Sequence, residues 1–136
     1  MSNEVILKYG SNIERKDVPA LFQWQVQDIF PNDASWSCAC SRLKDDVMSF
    51  SAFRNTLNSA ENLRACLAAR DSLALAAERI YAYARLSRDT DTGNQAYQEL
   101  VGQAEALVAE YNNAVAFVEP EILGLPTHLL KEFTAQ

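Results

Sequence analysis

Apolar residues recur at helical spacing through most of this chain, and the polar breaks between them divide it into elements. Trp36, Cys40, Leu43, Val47 and Phe50 alternate in steps of four and three, one continuous face of a first helix. Asn32 or Asp33 is placed to cap it through a side-chain oxygen, with Pro31 just ahead fixing where it starts. Phe53 and Leu57 extend the face before the Asn55–Ser59 stretch breaks the pattern. A second helix is expected from Asn58 or Ser59 to about Arg88, on the order of 45 Å long at 1.5 Å per residue. Its polar residues Arg64, Asp71, Glu78 and Arg85 recur every seventh position and draw one narrow line, while most other positions are Ala, Leu, Cys, Ile or Tyr. So narrow a wet stripe means neighbours on at least two sides, and abundant alanine lets them come close.

The six polar residues Asp89–Asn94 then turn the chain back. Thr92 and Gln95 match the capping-box spacing, and Asp89 and Asp91 lie near the start of a third helix, whose dipole favours negative charge. That helix is expected over Gly93–Val118. Its face is Tyr97, Val101, Ala104, Val108, Tyr111, Val115 and Val118, widened by Leu100 and Leu107. A short final helix is expected over Thr127–Phe133. Ahead of all this, Val18-Pro19 biases the chain towards extended backbone. Phe22, Trp24 and Val26 alternate with glutamines there, as in an extended segment whose aromatics pin it to the helices. The pattern therefore predicts an all-α fold: a long antiparallel helical hairpin packed with an N-terminal helix and an extended aromatic lead-in. Residues 1–14 form a leader of uncertain structure, and 15–136 form the α-helical hairpin domain.

Composition narrows the function classes. At 136 residues and 49% hydrophobic, the chain suits one domain or a piece of a larger protein, and disorder is not the default. Its net charge of −6 argues against nucleic acid or an anionic membrane as partner, because both need a basic surface. No apolar run approaches the ~20 residues of a membrane span, and the first residues lack the basic and apolar parts of a secretory signal. Three cysteines are too few and too oddly placed for a disulfide framework, so reduced thiols and a cytoplasmic location are expected.

Candidate chemistry is sparse. A zinc peptidase of the common type needs two histidines four apart on one helix with a glutamate beside the first, and this chain has only His128. Asp89-x-Asp91 opens like a calcium loop, but Gly93 comes one place early and the twelfth position is Leu100. There is no Gly-rich phosphate loop and no GxSxG elbow. Tyr81, Tyr83, Tyr97 and Tyr111 are expected between helices with their hydroxyls at the rim. No residue of this chain is therefore nominated as catalytic, cofactor-binding or metal-binding.

A specific set of motifs nonetheless runs in order through the chain. It begins with Arg15, Val18-Pro19, Trp24-x-Val26-x-Asp28-Ile29-Phe30-Pro31 and Trp36, and continues through Phe50 and Phe53. Then come Tyr81-x-Tyr83-Ala84-x-Leu86-x-x-Asp89-Thr90-Asp91-Thr92-x-Asn94 and Phe117-Val118-Glu119-Pro120-Glu121-Ile122-Leu123. Over about residues 15–133 this resembles the amino-terminal region of oligoendopeptidase F, of the thimet-oligopeptidase-like zinc metallopeptidases. One departure is Trp24-Gln25-Val26, where that family usually reads Trp-Asp-Leu. The resemblance implies a helical wall of the substrate channel that restricts entry to short peptides. It also implies a zinc-binding HExxH far downstream, in a catalytic domain of the same polypeptide that would be this region's partner. No zinc ligand carries over, so the chain alone is expected to be inactive and to self-associate through faces left uncovered. The alternative is a free-standing α-helical hairpin that binds a partner protein.

Overall fold

In the computed structural model, which describes residues 15–135, the first helix begins where a side chain can satisfy its free amides. Asn32 is extended, and its Oδ1 accepts from the Ser35 amide at 2.9 Å. Helix α1, Asp33–Ser49, follows and buries Trp36, Leu43 and Val47, while Cys40 is half-buried. Phe50 continues that buried face in a 3-10 turn, Phe50–Phe53. Asn55 then adopts φ 63°, a left-handed conformation that asparagine tolerates better than most residues, and the chain reverses around the wholly buried Leu57.

Helix α2, Ala60–Thr90, is capped by Ser59, whose hydroxyl accepts from the Asn62 amide at 3.2 Å. Its buried residues Cys66, Leu73, Ala77, Ile80, Tyr83, Ala84 and Ser87 fall on one side, and Arg64, Asp71, Glu78 and Arg85 are exposed on the other, as their heptad spacing predicts. Helix α3, Gln95–Val115, returns along α2 and buries Val101, Ala104 and Leu107. Three hydrogen bonds fix the directions. Tyr111 Oη donates to the Arg70 carbonyl at 3.4 Å, far from the turn, as only antiparallel α2 and α3 allow. Trp36 Nε1 donates to the Ile80 carbonyl at 2.9 Å and Tyr83 Oη to Asp33 at 2.7 Å, so α1 is antiparallel to α2 as well. Helices α1, α2 and α3 all touch one another, and the core lies along their common axis.

Beyond α3, Phe117 and Val118 are buried, and Phe117 packs on Phe50 at 5.8 Å with the Arg54 guanidinium 4.4 Å over its ring. Helix α4, Val118–Leu123, carries Glu121, whose carboxylate accepts from the Asn55 and Leu57 amides at 3.0 and 3.3 Å. Helix α5, Thr127–Thr134, is the last described element and has no buried residue.

The all-α architecture, a long antiparallel hairpin with a helix packed before it, is as the pattern predicts. Its details differ in two places. The lead-in is not continuously extended: 3-10 turns at Arg15–Asp17, Ala20–Phe22 and Val26–Asp28 are joined by extended residues. The Gln23 amide holds this arrangement by donating to the Arg15 and Val18 carbonyls at 3.1 and 2.7 Å. Only Val26 is buried there, and Phe22 and Trp24 remain 50% and 58% exposed, so those two aromatics do not pin the lead-in. At the corner, α2 runs on through Thr90, and α3 is capped by Asn94, whose Oδ1 accepts from the Ala96 amide at 3.0 Å. Thr92 and Gln95 form no capping box. Asp89 belongs to the last turn of α2, where the helix dipole opposes it but Arg88 bonds it at 2.8 Å. The leader expected over residues 1–14 lies outside the described residues.

Candidate interaction surface

The fold scatters the titratable and nucleophilic side chains that could carry chemistry. His128 is exposed on α5. The three cysteines are free: Cys38 exposed, Cys40 half-buried and Cys66 buried. Burial pushes the Cys40 thiol up to about 11, which makes it a poor thiolate nucleophile. Burial raises the Cys66 thiol too, the Glu121 carboxylate adds to this, and Arg70 partly offsets it. Among the tyrosines, Tyr83 is buried against Trp36 and Phe30, and its phenol is raised first by burial and then by the Asp33 carboxylate it bonds. Tyr111 is raised mainly by burial, while Tyr81, Tyr97 and Tyr111 are half-buried. Among the described residues no three His, Cys, Asp or Glu side chains converge where a metal ion would sit. Among the described residues, then, no donor set fits the zinc that the resemblance implies for a full enzyme.

What the fold does build is surface. Arg64, Asp71, Glu78 and Arg85 line the outer face of α2, with Leu75 60% exposed among them. At the amino-terminal half of that helix, α5 stands off from α2 and leaves a cleft of about 780 Å³. Leu63 and Leu67 of α2 and Leu130 and Phe133 of α5 face into it, each half-buried, and Glu61, Arg64 and Asp71 edge it. This cleft was not foreseen from the sequence. Leu63 and Leu67 are four apart, and Leu130 and Phe133 three apart, so each pair marks a helix stripe, but spacing alone cannot show that the stripes face each other across a gap.

Known proteins give this architecture its context. The chain is 33% identical over 121 residues to oligopeptidase PepF of Bacillus subtilis, a match covering 88% of this chain and 18% of that protein. It is 28% identical over 127 residues to the plasmid-borne oligoendopeptidase F of Lactococcus lactis subsp. cremoris, covering 90% of this chain and 21% of the relative. This chain is an oligoendopeptidase F-like region. The group B oligopeptidase PepB of Streptococcus agalactiae is 30% identical over 116 residues, covering 85% of this chain and 18% of its own. The chain thus spans about a fifth of the length of the oligoendopeptidases it matches. No family model matches it, and no solved structure does. The resemblance drawn from Trp24, Trp36, the Tyr81–Asn94 stretch and Phe117–Leu123 is borne out. No helix among the described residues is long and apolar enough to cross a membrane.

Proposed function

We propose that this chain serves as the amino-terminal helical region of an oligoendopeptidase, a wall of the substrate channel that admits short peptides and excludes folded protein. The observation that carries this reading is the span of similarity: nearly nine-tenths of this chain, against a fifth of each peptidase. A rigid helical hairpin with scattered titratable groups suits a steric role, in which length and stiffness do the selecting and reactive side chains are supplied elsewhere. In this reading the zinc and its HExxH belong to the downstream catalytic domain of the same polypeptide, and the region by itself is inactive. Free thiols at Cys38, Cys40 and Cys66 suit the reducing cytoplasm. The open cleft between α2 and α5 favours a second reading, a free-standing hairpin that binds a partner protein.

Turnover on mixing separates the two. The chain is added to Bacillus subtilis PepF lacking its matched region, and quenched fluorescent peptides of graded length report cleavage. The channel-wall reading expects no turnover from this chain alone, restored turnover on mixing, and a fall in rate as peptides lengthen. Peptide cleavage or stoichiometric zinc in this chain alone would overturn it, as would full turnover with the same length preference when the chain is left out.

A further inference from the structure

We propose that the cleft between α2 and α5 seats an amphipathic helix from the rest of the oligoendopeptidase polypeptide. This rests on the channel-wall reading and names the contact through which the two parts join. An isolated eight-residue helix does not hold itself in water and needs a packed apolar face. In α5 that face, Leu130 and Phe133, looks across open space at Leu63 and Leu67, and all four stop at half-buried. Elsewhere on α2 the inward leucines and isoleucine are covered, as Leu73 and Ile80 show. The cleft is thus a local shortage of apolar atoms between two helices that already face one another.

Its shape and charge describe the occupant. Two helical walls with no strand edge among the described residues accept a helix laid in the groove, with apolar residues at three- and four-residue spacing. Glu61 and Asp71 outnumber Arg64 on the rim, so at least one Lys or Arg is expected beside the occupant's apolar stripe. The source follows from two facts. Thr134, in the last turn of α5, itself lines the cleft, so polypeptide continuing from it in an oligoendopeptidase would start at the groove. The relatives carry about four times as much sequence again outside the match, ample to supply such a helix.

The test uses the full chain and overlapping peptides of about 18 residues, five helical turns, tiled across the unmatched part of Bacillus subtilis PepF. Fluorescence anisotropy measures binding, and circular dichroism confirms that each variant stays helical. At least one amphipathic peptide is expected to bind. Leu67→Glu and Leu130→Glu should each weaken it roughly tenfold or more, and Leu75→Glu, outside the cleft, should leave it unchanged. Should Leu67→Glu unfold the core, Leu130→Glu decides, because α5 contributes no buried residue. The cleft proposal is overturned if no peptide binds, or if the binders ignore Leu130→Glu. It is equally overturned if the chain instead pairs with itself through a contact that Leu130→Glu abolishes. Restored turnover on mixing, with no cleft-dependent peptide binding, would remove this inference and leave the channel-wall reading standing.

Discussion

Replacing Tyr83 by phenylalanine keeps the ring in place and deletes one hydroxyl, which makes a pH-dependent prediction. The ring sits edge-on to Phe30 at 5.6 Å and stacks on Trp36 at 6.4 Å, and both contacts survive in Tyr83→Phe. What is lost is the 2.7 Å bond from Oη to Asp33. Near neutral pH this should cost about 1 kcal/mol, below the usual range for a charged acceptor because the exposed Asp33 carboxylate rehydrates. At alkaline pH the sign changes. An unfolded tyrosine ionises near about pH 10. In the folded chain, burial and then the Asp33 carboxylate hold the phenol protonated above that. The stabilisation is fully present below the unfolded value and is lost as pH rises through it, at about 1.4 kcal/mol per pH unit. Phenylalanine has no such loss, so the two stabilities should converge near about pH 11. Cys40, Cys66 and Tyr111 titrate in the same direction in both proteins and drop out of the difference. Urea melts followed by far-ultraviolet circular dichroism at stepped pH give the comparison. A gap that stays constant from neutral to strongly alkaline conditions would refute the reasoning.

Two further substitutions probe the packing. Ile80→Ala, at a wholly buried position in the core, should cost about 2–5 kcal/mol in urea melts, and a loss under 1 kcal/mol would mean the core collapses to fill the space. Glu121→Ala removes the acceptor for the Asn55 and Leu57 amides and should cost about 1.5–3 kcal/mol, with faster hydrogen exchange at those two amides and none at the Asp91–Asn94 corner. Glu121→Gln keeps one acceptor oxygen and should recover part of that loss.

Most of the helical frame could be read from periodicity, because burial in a bundle is decided by which face a residue occupies. Trp36, Leu43, Val47 and Phe50 are buried as their spacing requires, and so are Val101, Ala104 and Val118. At the corner the pattern points to a cap at Thr92 instead of Asn94 because both are good cap formers, and only the backbone path decides between them. The lead-in departs from its pattern for another reason: Phe22 and Trp24 alternate with glutamines, but the Gln23 amide finds two backbone carbonyls and curls the segment into turns. The Glu121 clamp joins residues 64 and 66 positions apart, a separation that no local pattern encodes. Nor does any local pattern reveal the cleft, whose existence depends on how far α5 stands from α2.

The bond from the Trp36 indole to the Ile80 carbonyl has a consequence beyond its own strength. Rods surfaced with alanine and leucine offer several sliding positions of nearly equal energy, because one methyl resembles the next. An indole N–H buried without an acceptor would make every wrong position costly, so this bond, with the Tyr83–Asp33 bond beside it, selects one alignment from several. Mechanical precision in this bundle thus comes from its polar contacts.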